Sequence, residues 1–299
     1  MASITIPERL TTDLRGQTAI VTGGAAGIGF AAAQILSSLG ARVHIFDILP
    51  LDEADADSNP DLVFHQCDVT SWMELRSAFE SVGPIDLVFA NAGISERTNY
   101  FTDAFDEEGK LREPSSTLMD TNLKSVLYTI KLAWFTMKQQ KSKGSIVITT
   151  SATAYVPWQS LAVYTAAKLA AMRSLRSLLI RDGITINAVA PGATITKLLP
   201  GHLLEAVKAI GAPISTAHTA AKALVYSATA TEARRVEDYG KDKTEEREGE
   251  RRWNGRVIVV LGDTYTEVEE PYANLRSSWL GEENAKLFRS QQAATDGRE

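Results

Sequence analysis

The sequence predicts an α/β fold: a single domain built on a doubly wound, seven-stranded, mostly parallel sheet with helices on both faces. Three observations carry that expectation. Short β-branched runs alternate with helical segments along the chain, a pattern that gives parallel strands joined by right-handed crossovers. A glycine-rich turn lies between the first strong strand and an apolar helical segment, as in the opening βα unit of a dinucleotide-binding sheet. With 299 residues, 44 % of them hydrophobic, the chain can bury one large core, and a domain of about 250 residues with extensions fits better than two domains.

Taken in order, residues 1–12 read as an N-terminal extension, 13–262 as the domain and 263–299 as a C-terminal extension. Candidate strands are 17–22, 41–46, 62–66, 85–89, 144–149, 183–189 and 256–261. Helical segments include Trp72–Val82, a long helix from about Ser116 to Gln139, and Ala162–Arg181, which Asp182-Gly183 stops. The first strand, Thr18-Ala-Ile-Val21, leads into Thr22-Gly23-Gly24-Ala25-Ala26-Gly27-Ile28-Gly29 and then Phe30 to Leu39. The glycines let backbone approach a pyrophosphate whose charge meets the helix N-terminus. The spacing is Gly-x-x-x-Gly-x-Gly, and a glycine turn alone is weak evidence; here it has a strand before it, a helix after it and an acid closing the next strand. That acid, Asp47, would accept hydrogen bonds from the adenosine ribose hydroxyls and repel a 2′-phosphate. NAD is therefore expected over NADP, with Arg42 at the strand start the one cation that could swing toward a phosphate, and a plain capping turn the alternative role for Asp47. Ligands belong at the carboxyl ends of the strands, where Gly23, Asp47, Asn91, Ser151 and Pro191 fall.

Tyr164 and Lys168 stand four residues apart on one helix face, thirteen positions after Ser151. A phenol with a pKa near ~10 is a poor acid or base at neutral pH, and an ammonium one turn away favours the phenolate. The serine hydroxyl could hold the substrate oxygen that gains or loses the proton. Tyrosine and lysine at this spacing also occur by chance on many helices.

Thr22-Gly23-x-x-x-Gly27-Ile28-Gly29, Asp68-Val69, Asn91-Ala92-Gly93, Asn122 in Met-Asp-Thr-Asn-Leu-Lys, Ser151, Tyr164-x-x-x-Lys168 and Pro191-Gly192 occur in the order and approximate spacing of the short-chain dehydrogenase/reductases. The resemblance spans residues 13 to 262 and implies a Rossmann-type fold and hydride transfer with a nicotinamide cofactor. By that resemblance Tyr164 is the general acid/base, Ser151 orients and polarises the substrate oxygen, and Lys168 lowers the tyrosine pKa while holding the nicotinamide ribose. Asn122 resembles the asparagine that holds a water in a proton path to solvent; otherwise it is one polar residue on a long helix. Asp68 and Val69 would contact the adenine, Asn91-Ala92-Gly93 would pack beside the adenine ribose, and Ala26 and Ile28 belong to the pyrophosphate loop. Pro191-Gly192-Ala193-Thr194-Ile195-Thr196 resembles the segment that holds the carboxamide near Thr194 and the pyrophosphate near Thr196. The chain looks similar to fungal members acting on polyketide-derived or prostaglandin-like alcohols, and relatives commonly assemble as dimers or tetramers through the helices bearing Asn122 and Tyr164.

A net charge of −6 leaves no footprint for nucleic acid or an anionic membrane. The single cysteine, Cys67, excludes an intramolecular disulfide and reads as a buried small hydrophobe in a reducing compartment. The start lacks an apolar leader and nowhere do eighteen apolar residues run together, so a cytosolic protein is expected. His44, His65, His202 and His218 form no ligand spacing, and Asp52 to Asp57 lacks the features of a calcium loop, so no metal is expected. Residues 99–115 read either as an edge of the substrate mouth or as a solvated loop. The stretch 194–216, with Leu198, reads either as an apolar lid or as the core of a small helix. In 231–252, 15 of 22 residues are charged, which reads as an exposed surface excursion without chemistry. Tyr155 and Trp158 either line the pocket or pack beneath a loop. Together these features point to an NAD-dependent dehydrogenase of a lipophilic secondary alcohol or ketone, with oxidation favoured because NAD pools are kept oxidised; the second reading is a family scaffold turned to non-redox catalysis or dinucleotide-dependent binding.

Overall fold

The computed structural model describes residues 3–52, 59–96, 100–158, 161–168, 172–199, 201–234, 236, 241 and 248–297. Its strands are β1 (Ser3–Ile4), β2 (Thr18–Thr22), β3 (Arg42–Asp47), β4 (Leu62–Gln66), β5 (Leu87–Ala90), β6 (Ser145–Thr149), β7 (Thr185–Pro191), β8 (Thr231–Arg234), β9 (Glu248–Arg252), β10 (Val257–Leu261) and β11 (Thr264–Glu267). Nine of them form one sheet in the order β1-β11-β10-β7-β6-β5-β2-β3-β4. The seven expected strands are β2 to β7 and β10, all parallel. Two antiparallel strands raise the count: β11 folds back on β10, and β1 pairs with β11. The turn between β10 and β11 has Leu261 opposite Thr264, leaving Gly262-Asp263 as a two-residue hairpin connection. The sheet therefore runs past position 262, where the domain was expected to end.

Buried strand residues alternate between two cores because successive side chains point to opposite faces. Ala19, Val21, Val43, Ile45, Leu87, Phe89, Val147 and Val189 face one side with the helices α1 (Gly27–Ser38) and Ala217–Thr229. Ile20, Phe46, Val88, Ala90, Ile146, Ile148, Ile186 and Ala188 face the other. There they meet α2 (Trp72–Val82), α3 (Ser125–Gln139) and the helices that follow β6. A sheet covered on both faces explains strands that read as nearly unbroken apolar runs.

One expected helix changes its winding along its length. This long helix opens at Thr117–Met119, passes through a π-helical turn at Asp120–Lys124 and continues as α3. The Tyr164 helix is described as α4 (Ala162–Lys168) and α5 (Met172–Leu179), ending in a 3-10 turn, Ile180–Asp182, with Gly183 in the left-handed conformation. The excursion at 231–252 is tied down at its base: β8 pairs with β9, and Arg252 donates to the carbonyls of Lys143, Gly144 and Gly183. Arg256 also pairs with Glu232. The part of the excursion between these strands lies largely outside the described residues, as do positions 53–58 of the acidic run.

Candidate active site

The sheet order reverses between β2 and β5, so their carboxyl ends part and leave a crevice. Asn91, just after β5, pins its floor. Its amide donates to the carbonyls of Thr22 (3.2 Å) and Gly23 (3.0 Å), while Thr149 Oγ1 donates to its Oδ1 at 2.9 Å. The Thr22 hydroxyl accepts from the backbone of Asn91 and Ala92. The ends of β2, β5 and β6 are thereby locked together.

On one side of the crevice lies the glycine turn. A Cβ at Gly29 would overlap the Gly23 carbonyl oxygen and the Asn91 amide, so only glycine allows this closeness. Ala26 is the N-cap of α1, and no side chain among the described residues caps it. The first turn, Gly27 to Phe30, carries no acid. Bare N–H groups without competing negative charge fit a pyrophosphate. Thr196 stands across the loop, its Cγ2 3.2 Å from where a Cβ on Gly27 would lie. Asp47 ends β3 and accepts from Ala25 N (3.0 Å) and Leu49 N (3.2 Å), which holds its carboxylate beside the loop. Asp68 accepts from Thr70 N and Oγ1, ordering the turn after β4, with Val69 buried beneath. Pro191 ends β7, Gly192 N donates to Val260 O, and the Thr194 hydroxyl donates to Gly192 O at 3.0 Å. These positions match what a dinucleotide needs from one end of the crevice to the other.

On the β6 side Ser151 caps the short turn Ala152–Ala154, its Oγ accepting from Thr153 N at 3.2 Å. Lys168 is buried, its ammonium donating to Thr149 O at 3.1 Å and standing 5.8 Å from the Tyr164 ring centre. Asn122 sits in the π-turn, where the widened backbone turns its side chain to the loop after β5. Its Oδ1 accepts from Ile94 N and its Nδ2 donates to Ile94 O, both at 2.8 Å. Gly93 leaves room between them: a Cβ there would lie 3.1 Å from Lys168 Nζ and 3.2 Å from Asn122 Oδ1. Ser151, Tyr164, Lys168 and Asn122 are thus brought to one end of the crevice.

The electrostatics differ from the sequence expectation. Burial raises the Tyr164 phenol above its ordinary value, and the opposing influence is its hydrogen bond with Ser151, not the lysine. Burial also lowers Lys168, to about 8. Desolvation disfavours the charged form of each group, so the ammonium is itself close to losing its proton.

A cavity of about 950 Å³ opens beside this end, walled by Ile94, Glu96, Arg112, Thr117, Val163 and Leu198 among others. Tyr100, Thr102, Ala104 and residues 112–115 contribute to it, so part of that loop edges the cavity. The Tyr155 hydroxyl donates to Glu269 Oε1 at 2.7 Å and its ring packs against the buried core, which joins the loop after β6 to the C-terminal segment. Trp158 is exposed at the surface. Glu96 was missed: its carboxylate accepts from Tyr164 N at 2.9 Å across 68 residues of sequence, and no local pattern announces such a contact. No cluster of three or more potential metal ligands occurs among the described residues. Cys67 is a free, buried thiol that burial pushes up to about 12, so it stays protonated.

A doubly wound parallel sheet with a glycine turn, an acid at the next strand end and a basic-phenolic pair across the crevice defines a dinucleotide-binding α/β protein. The short chain dehydrogenase family model matches residues 17–202. The short-chain dehydrogenase/reductase prx4 of Penicillium roqueforti is 46% identical over 100% of this chain and 90% of its own length. ATR7 of Stachybotrys chlorohalonatus, also described as a short-chain dehydrogenase/reductase, is 44% identical over 100% and 95%. Among solved structures, gox2181 superposes with a TM-score of 0.58 at 28% identity, over 73% of this chain and 89% of that one. The chain belongs to the short-chain dehydrogenase/reductase family of oxidoreductases, whose cofactors are nicotinamide dinucleotides. Among the described residues no helix is long and apolar enough to cross a membrane.

Proposed function

We propose that this protein is an NAD-dependent dehydrogenase that transfers hydride between a lipophilic secondary alcohol or ketone and the cofactor. The observation that carries the reading is the meeting of Tyr164, Ser151, Lys168 and Asn122 at one end of a crevice whose other end fits a pyrophosphate. When bound, the nicotinamide supplies the hydride acceptor or donor. The chain supplies position and the proton. In oxidation the Tyr164 phenolate takes the carbinol proton while Ser151 holds the oxygen. Lys168 lends charge and keeps its own place through Thr149 O, and Asn122, fixed by Ile94, completes the path toward solvent. Reduction runs the same path backward. Replacing Tyr164 by Phe should lower turnover by about 10²–10⁴-fold, followed by nicotinamide absorbance, with cofactor affinity little changed; a Tyr164→Phe variant with full activity refutes the assignment.

Asp47 supports NAD over NADP, because its carboxylate is held beside the glycine turn where a 2′-phosphate would sit. Asp47→Ala should bring the two cofactors' kcat/KM values closer, and an unchanged ratio would remove that role. The aliphatic wall of Ile94, Leu118, Val163 and Leu198 supports a lipophilic substrate. The helix Gly201–Ala209 follows Leu198 and is suited to act as the lid. Full-length similarity to proteins of Penicillium and Stachybotrys supports a role in fungal secondary metabolism. Exposed Leu127 and Phe135 on α3 and Leu178 on α5 support assembly through those helices as a dimer or tetramer.

A further inference from the structure

The cavity wall is not purely apolar. Glu96 reaches it from the loop after β5, and Arg112 and Glu113 reach it from the opposite loop. Glu96 is half-buried, and its Oε2 accepts from Tyr164 N at 2.9 Å. Its other oxygen carries no hydrogen bond or ion pair among the described residues. A carboxylate held in a largely aliphatic wall is a strong acceptor, and a ligand hydroxyl that donates to it is favoured. Arg112 and Glu113 stand in the same wall, so Glu96 is one of two acids beside a single described cation there.

We propose that Glu96 is the specificity-determining acceptor of the substrate pocket, receiving a hydrogen bond from a hydroxyl on the substrate skeleton away from the reacting carbinol. The substrate is then a bulky, largely apolar molecule with at least one further hydroxyl, either phenolic or alcoholic. This rests on the dehydrogenase reading only for which end of the molecule reacts. Glu96→Gln is the sharp variant: its amide oxygen can still accept from Tyr164 N, while its NH₂ turns toward the cavity and replaces an acceptor with a donor.

The test is binding of ketones to the full chain saturated with oxidised NAD, a pairing in which no turnover occurs. The probes are the ortho-, meta- and para-hydroxy forms of acetophenone and their methoxy counterparts, followed by calorimetry. Wild type should prefer the hydroxy form by about tenfold or more at one ring position at least. Glu96→Gln should abolish or reverse that preference. Glu96→Asp, which keeps the charge but withdraws it by one methylene, should weaken it. Equal preferences in wild type and both variants at every position would overturn the proposal. Oxidation of the matching carbinols separates the two readings. Turnover with an unaltered binding preference removes the role of Glu96 alone; a preference that responds to Glu96 without any turnover removes the hydride-transfer reading and leaves the role of Glu96 standing.

Discussion

Lys168 is the residue at which stability and function pull apart. It is fully buried, and its pKa falls from 10.5 to about 8 because burial penalises the ammonium. Below the lower value both folded and unfolded chains hold the proton and the whole cost of burial is present. Between the two values the folded chain releases it while the unfolded chain keeps it, so stability rises with pH through that window. Lys168→Met removes the titration, and the difference in unfolding free energy between wild type and variant should move in favour of wild type by roughly 2–3 kcal/mol from below pH 8 to about pH 10, read from urea midpoints. A pH-independent difference would mean the ammonium is solvated. The Tyr164 phenol is raised by the same burial, so alcohol oxidation should climb with pH on the alkaline side and lose that limb in Tyr164→Phe. The sequence made the pair legible through its i, i+4 spacing. It could not show the direction of either shift, because burial is fixed by the sheet and loops that close over the pair and not by the helix that carries it.

At the scale of elements, the glycine turn was readable because its chemistry is local, whereas the anchors of the β6 loop were not. Gly29→Ala places a methyl on the Gly23 carbonyl and the Asn91 amide, both tied into the ends of neighbouring strands. The turn must open, and we expect NAD affinity to fall by tenfold or more, measured by fluorescence titration, along with a lower Tm; unchanged affinity would show that the turn relaxes freely. The Tyr155 hydroxyl and a bidentate Arg173 meet on Glu269, which is almost fully buried, and the guanidinium also stacks 4.4 Å from the Tyr272 ring. These contacts span 114 and 96 residues, so no window of sequence contains both partners. Glu269→Ala would strand the Tyr155 hydroxyl and Arg173 together, at an expected cost of about 2–3 kcal/mol in urea unfolding. Arg173 is 40% exposed, and its access to water keeps the figure below that of a fully buried pair. Glu269→Gln keeps an acceptor for Tyr155 and should cost less; equal losses would show that charge, not the hydrogen bond, holds the junction.

For the molecule as a whole, the seven parallel strands were legible because each is a short apolar run bounded by turn residues, and the domain end was misplaced because β11 is not. Thr264-Tyr-Thr-Glu267 is polar, and only Tyr265 and Glu267 face inward, Tyr265 into the core with its hydroxyl donating to Thr219 O. The strand also supplies Glu267, which pairs with the buried Arg256, and it is the partner on which β1 closes the sheet edge. The last two helices differ in kind: Arg276–Leu280 and Glu282–Thr295 bury no residue, and Asp296, just past the second, accepts from Arg181 at 3.4 Å and from Lys241 N at 3.2 Å. Two truncations should therefore separate. A chain ending at Gly281 loses little apolar burial together with the contacts of Asp296 to Arg181 and Lys241 N, and its Tm should fall by only a few degrees. A chain ending at Gly262 exposes the β10 edge, leaves Arg256 without Glu267 and Glu270, and frees Tyr155 and Arg173 from Glu269. Arg256, left with Glu232 alone, and an open sheet edge together weaken the core at the rim of the sheet, so this shorter chain should be recovered aggregated or unfolded by circular dichroism. A soluble, cooperatively melting chain ending at Gly262 would mean that the sheet is complete at β10 and that the C-terminal segment is an appendage.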